Sequence, residues 1–212
     1  MNGNGASPDV IYVADWIADS HDAAGADFVI IDKKDARVYV FDGDARLRDS
    51  SPVLLGAARG DDSVPDIGSR PLSQVLPAER TTAAGRFVGE RGHDTRGDDV
   101  VWVDYDAALS MHRVITTNLK ERRLERLASA TTADNRISYG CINVPVAFYE
   151  TYLQPTFARQ QAIIYVIPEV KSIQQVFGAY DVARVHGVTR NQPKAMSGPE
   201  SMLLLLLAMR SG

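Results

Sequence analysis

Short apolar runs, each closed by a turn signal, constrain this chain of 212 residues more than any other feature. Phe28-Val-Ile-Ile-Asp32 reads as a buried strand. Arg37-Val-Tyr-Val-Phe41 alternates and is expected to pair with it across residues 33–36. Asp42-Gly43 is a strong hairpin signal leading into residues 45–48. Residues 53–57, 100–105, 107–114 and 162–167 read as further strands. Helix signals are fewer. They fall at 11–20, anchored by Trp16 and Ile17, and at 120–127, with Leu124 and Leu127 on one face. Two more fall at 146–153, opened by Pro145, and at 170–180. The stretches 59–76, 89–99 and 131–136 read as loops. This order of elements predicts a mainly β, mixed fold in which a few helices cover the sheets.

Composition narrows the function. The chain is long enough for one good core, or two small ones. A net charge of -4 does not suggest a nucleic-acid binder. No run of apolar residues is long enough for a transmembrane helix. One cysteine excludes an internal disulfide framework and a cysteine-based zinc site. Residues 1–9 lack a basic n-region and an apolar h-region, so they are not a secretory signal. The leucine run 203–207 is too short to span a bilayer and is expected to dock on the domain or a partner.

The lone cysteine lies in Ser138-Tyr139-Gly140-Cys141-Ile142-Asn143. A free cysteine is usually buried and inert. As a nucleophile it needs a base, because the thiolate is the reactive form. His112, at the end of an apolar strand-like run, can supply one; the bland alternative is a satisfied core histidine. His21, His93 and His186 are the competitors, and His93 sits in what reads as solvated loop. Gly140 permits a tight turn and leaves room for a substrate carbonyl near main-chain N–H groups.

The hexapeptide with its upstream histidine resembles the signature of the L,D-transpeptidase catalytic domain family, cysteine enzymes of bacterial peptidoglycan. The resemblance covers roughly residues 28–168, and the segment Thr81-Thr82-Ala83-Ala84-Gly85-Arg86-Phe87 shares in it. Tyr139 stands where the family usually has a second histidine, and Arg113 where Gly or Ser commonly follows the first. The resemblance implies an L,D-transpeptidase-like mixed β-sandwich over 28–168. An N-terminal segment 1–27 with a short helix would precede it, and a helical or irregular extension 169–212 would follow. It implies Cys141 and His112 as catalytic residues. With no Asp or Asn partner evident, a backbone carbonyl near Arg113 is expected to orient His112. Gly140, Tyr139, Ser138, Asn143 and Arg113 are implied as oxyanion or substrate-binding residues, with no metal and no cofactor.

The implied reaction is acyl transfer on a peptidoglycan tetrapeptide stem, with loss of D-alanine and passage of the acyl group to an amine. Carbapenems are expected to acylate Cys141. Hydrolysis, of the L,D-carboxypeptidase or endopeptidase kind, is the alternative, and a non-catalytic wall-binding module the other class. A papain-like thiol peptidase would place its cysteine before its histidine, the reverse of the order here. The implied location is periplasmic or cell-wall associated, with a leader removed; a cytoplasmic or secreted-effector location is the alternative. The basic stretch 115–136 reads either as a solvated helical face or as a wall over the cleft whose arginines, Arg122 and Arg123, meet stem-peptide carboxylates. Nothing in the sequence reports oligomeric state.

Overall fold

The computed structural model describes residues 5–159 and 161–187. The first hairpin is built by β1 (Phe28–Asp32) and β2 (Arg37–Phe41) and extended by β3 (Leu47–Pro52); the short β4 (Leu55–Gly56) follows in the chain. A second meander follows in β5 (Gly85–His93), β6 (Asp99–Asp104) and β7 (Leu109–Arg113). The last strands are β8 (Arg136–Ser138), β9 (Ile142–Val144) and β10 (Ala162–Ile167). Eight of them form one mixed sheet in the order β3-β2-β1-β10-β5-β6-β7-β9, while β4 pairs with β8. The expected mainly β fold is what forms.

The long strand β5 makes one sheet serve as two. Its first half, Gly85 to Gly89, pairs with β10. Its second half, Glu90 to His93, pairs with β6. Residues from both halves meet in one buried cluster: Val29, Ile31, Val38 and Val40 from one side, Val101, Val103, Leu109 and Met111 from the other. The change of partner falls at Gly89, and a Cβ there would lie 2.3 Å from Phe157 Cε1. The glycine is therefore needed for close approach.

β1, β2 and β10 carry apolar residues without strict alternation because both of their faces are covered. One face meets the shared cluster. The other packs under α1 (Pro8–Ser20), where Trp16 meets Tyr165 edge-on at 6.2 Å and Phe28 stacks on Phe41 at 4.8 Å. The helix starts earlier than expected. Ser7 caps it by accepting from the Val10 N–H, and Pro8 opens it.

Three sequence readings need correction. The stretch 89–99 is mostly strand, because it pairs on both flanks; only its tip turns. The helix expected at 120–127 is broken. A 3-10 turn, Leu119–Glu121, ends at Arg122, which sits at φ 51, and α2 (Arg123–Ala128) starts after it. Leu127 is buried with Leu54 and Val114, but Leu124 is 60% exposed. The expected loop 131–136 is a 3-10 turn, Thr132–Asn135, and its last residue already opens β8.

The helical stretch after Pro145 is longer than expected. It runs from α3 (Val146–Phe148) through a π-turn, Tyr149–Leu153, into α4 (Gln154–Arg159). The expected helix 170–180 is the shorter α5 (Ile173–Phe177), capped by Ser172 and ended at Gly178. A separate unit begins at Asp181, whose carboxylate caps α6 (Val182–Val185). The leucine run 203–207 lies outside the described residues. Among the described residues no helix is long and apolar enough to cross a membrane.

Gly89→Ala should lower stability by about 1–3 kcal/mol through overpacking against Phe157 and Ile164. Urea unfolding reads this as a lower midpoint at unchanged slope.

Candidate active site

Cys141 and His112 come together through a strand register. β7 and β9 run parallel with Met111 opposite Ile142 and His112 opposite Asn143. Side chains alternate along each strand. Met111, Ile142 and Val144 therefore enter the core, and Ser110, His112, Cys141 and Asn143 share the other face. A parallel pair needs a crossover connection of a dozen or more residues. That requirement accounts for the long stretch between His112 and Cys141.

His112 is oriented by main chain. Its Nδ1 lies 2.8 Å from the Arg113 carbonyl oxygen. A carbonyl only accepts, so Nδ1 carries the proton and Nε2 is left for the thiol. Burial works to push the Cys141 thiol up. The hydrogen bond and charge of His112, then the hydroxyl and main-chain N–H of Ser110, outweigh it, and the thiol falls below its ordinary value. Cys141 is half-buried. The arrangement can therefore generate a thiolate beside a general acid.

The turn that carries Cys141 is held at both ends by one segment. Leu54 and Asn143 exchange two main-chain hydrogen bonds of 2.9 Å, and the Ala57 N–H donates to the Ser138 carbonyl. Within the turn, Ser138 Oγ donates to the Cys141 carbonyl at 2.6 Å and accepts from the Gly140 N–H at 3.1 Å. Asn143 Nδ2 donates to the same Cys141 carbonyl at 3.2 Å. Gly140 sits at φ +138, and a Cβ there would lie 2.8 Å from the Thr81 carbonyl oxygen. Only glycine suits this position. The Gly140 N–H, expected as an oxyanion donor, is thus engaged by Ser138.

The remaining candidates lie around this turn. Tyr139 is 41% exposed, with the Arg80 guanidinium 4.1 Å from its ring centroid. Arg113 turns its side chain away from Cys141. Its Nε donates to Glu150 at 3.1 Å, and its guanidinium lies over Tyr149. Its carbonyl orients His112, and the residue also lines the cleft beside that histidine. The arginines of the basic stretch 115–136 are engaged as well: Arg122 pairs with Glu125, while Arg123 donates to Asn143 Oδ1 and to Glu121. A cleft of about 240 Å³ opens beside His112, with Asp94, Arg96, Asp98 and Val146 in its lining.

Several residues escaped the sequence reading. Thr82, fully buried, accepts from the Gly56 N–H and donates to the Gly140 carbonyl at 2.7 Å. Its own carbonyl accepts from Lys33 Nζ at 2.8 Å. Lys33 is also buried, and meets Asp61 at 2.7 Å and Glu169 at 3.7 Å. Arg136 clamps Glu169 through both of its terminal nitrogens. The signal for this cluster was a charged pair directly after an apolar strand, Lys33-Lys34, which a turn explains equally well. Among the described residues no group of His, Cys, Asp and Glu could hold a metal ion.

No family model matches the chain, and no curated protein does. Among solved structures, the helical cell shape determining protein Pgp2 from Campylobacter jejuni aligns at 15% identity and TM-score 0.44. The match covers 69% of this chain and 49% of that one, so this chain spans about half the Campylobacter protein's length. A fused Zn-dependent amidase/peptidase/peptidoglycan-binding domain-containing protein from Clostridium acetobutylicum aligns at 18% identity over 76% and 63%, TM-score 0.36. The catalytic domain of the E. faecium L,D-transpeptidase aligns at 12% over 68% and 98%, TM-score 0.37. Scores this low assign neither a family nor an activity.

The ionic cluster beneath the turn has a pH signature. Burial raises the Asp61 carboxyl. The Lys33 ammonium and the N–H groups of Lys171, Glu169 and Val170 more than offset this and hold it at about 2. An unfolded aspartate titrates near ~3.9. The contribution of Asp61 is therefore fully present above that value and is lost as pH falls towards 2. The thermal midpoint should drop across that window. Asp61→Asn should flatten this part of the acid limb and cost about 3–5 kcal/mol at pH 7, because Lys33 loses its nearest counter-charge.

Proposed function

We propose that this chain is a peptidoglycan L,D-transpeptidase in which Cys141 is the nucleophile and His112 the base. The observation that carries this reading is the half-buried thiol held beside a histidine whose Nδ1 is committed to the Arg113 carbonyl. His112 Nε2 takes the thiol proton. The thiolate attacks the carbonyl of the third residue of a tetrapeptide stem, and the tetrahedral oxyanion is met by main-chain N–H groups of the 139–141 turn. Gly140 joins them if Ser138 Oγ releases its N–H. His112 returns the proton to the leaving amine, and D-alanine departs. The thioester is then resolved by an amine of a second stem, with His112 again as base.

Tyr139, exposed and backed by the half-buried Arg80, forms the wall beside the nucleophile and belongs to the substrate surface. Ser138 and Asn143 hold the Cys141 carbonyl. The Arg113 side chain braces the helix behind the site. No metal or organic cofactor enters these steps. The working location is the periplasm or the cell wall, where the substrate lies.

The test is incubation of wild type and Cys141→Ala with purified muropeptides, and separately with a carbapenem, followed by intact mass and product analysis. Wild type should release D-alanine and gain one carbapenem adduct, and Cys141→Ala should do neither. Turnover by Cys141→Ala, or wild type with neither adduct nor turnover, sinks the proposal. Cross-linked products identify an amine acceptor, and trimmed tripeptides identify water.

A further inference from the structure

Ser110 is the polar side chain nearest the sulfur that the reaction above leaves unused. It stands one residue before the Met111–Ile142 pair of the parallel register, so it faces Cys141 across the two strands. Its Oγ is 3.6 Å from the Cys141 Sγ, and the residue is 5% exposed. The same sulfur lies 3.5 Å from the Ala108 carbonyl oxygen. Ala108 is held at φ +50 in the turn between β6 and β7.

These two neighbours suit opposite protonation states. A carbonyl oxygen can only accept, so it is satisfied by the S–H of the thiol. A hydroxyl can also donate, and its hydrogen bond strengthens when the acceptor is an anion. Transfer of the proton from Sγ to His112 Nε2 removes the Ala108 contact and makes Sγ a pure acceptor. Ser110 Oγ–H is then the buried donor in reach.

We propose that Ser110 is a further catalytic residue, whose hydroxyl donates to the Cys141 thiolate and holds it in the attacking position. It rests on the reading of Cys141 as the nucleophile. Ser110 keeps its proton throughout: the S–H bond breaks, the Nε2–H bond forms, and no third group changes charge. The downward shift of the thiol, to which Ser110 contributes, agrees with this role. Other charged groups on elements packed around the turn are engaged elsewhere. Arg80 lies over Tyr139 and donates to the Val75 carbonyl. Arg123 is held by Glu121 and Asn143, and Arg113 by Glu150. Asp104, at the end of β6, accepts from the Ala107 N–H. His112 is thus the charge that couples to the sulfur.

Cys141 is the chain's one cysteine, so alkylation of the full chain by iodoacetamide reports this sulfur alone. The rate is measured against pH for wild type, Ser110→Ala and Ser110→Thr, with circular dichroism to confirm that each is folded. Wild type should titrate below an ordinary thiol. Ser110→Ala should raise the midpoint by about one pH unit, a tenfold loss of thiolate below it. Ser110→Thr, which keeps the hydroxyl, should restore it. A wild-type midpoint that is low and unmoved in Ser110→Ala overturns the role of Ser110 and leaves the nucleophile in place. A rise that Ser110→Thr does not restore assigns the effect to packing and also overturns it. A wild-type midpoint at the ordinary thiol value removes the activated nucleophile, and with it both readings.

Discussion

The ammonium of Lys33 is the point on which the site depends. It is buried without contact with water, and it donates to the Gly60 and Thr82 carbonyls as well as to Asp61. A charge in such a place is tolerable only when every donor is matched. The matching draws four parts of the chain together: the β1–β2 turn, the loop at 60–62, the entry to β5 and the end of β10. Burial lowers the Lys33 ammonium against the pull of Asp61 and Glu169. Asp61 in turn collects the N–H groups of Glu169, Val170 and Lys171, which fixes the chain as it leaves β10.

From that cluster a short path leads to the sulfur. Lys33 holds the Thr82 carbonyl, the Thr82 hydroxyl holds the Gly140 carbonyl, and Gly140 precedes Cys141. A second support comes from the basic stretch 115–136, where Arg123 fixes Asn143 and Asn143 fixes the Cys141 carbonyl. The geometry at Cys141 is therefore set by polar contacts from distant parts of the chain as well as by the turn's own preferences.

Much of this was legible in the sequence, and the reasons differ by element. β1, β2 and β10 were plain because both of their faces are buried, so their apolar runs are unbroken. The second half of β5 was misread because, although the strand is paired on both sides, its side chains are largely exposed and only Gly89 within it is buried. Its charged residues imitate a loop. The turn around Cys141 could be read because its chemistry is local, with Ser138, Gly140 and Cys141 within a few residues. Its supports could not. Thr82, Lys33, Arg123 and Ser110 act across long separations, and their own neighbourhoods do not say which partners they meet. The break at the left-handed Arg122 and the Arg123–Asn143 contact were likewise invisible to composition.

The parallel pairing of β7 with β9 has a consequence for the life of the chain before it is folded. Because side chains alternate with a period of two, a slip of one residue would bury Cys141 and expose Ile142. This pairing is non-local and forms only after the whole crossover has been laid down. Until then Cys141 has neither His112 nor Ser110 beside it and behaves as an ordinary thiol, largely protonated near neutral pH. The lowering of the thiol thus arrives only with the native register, when His112 and Ser110 come beside it.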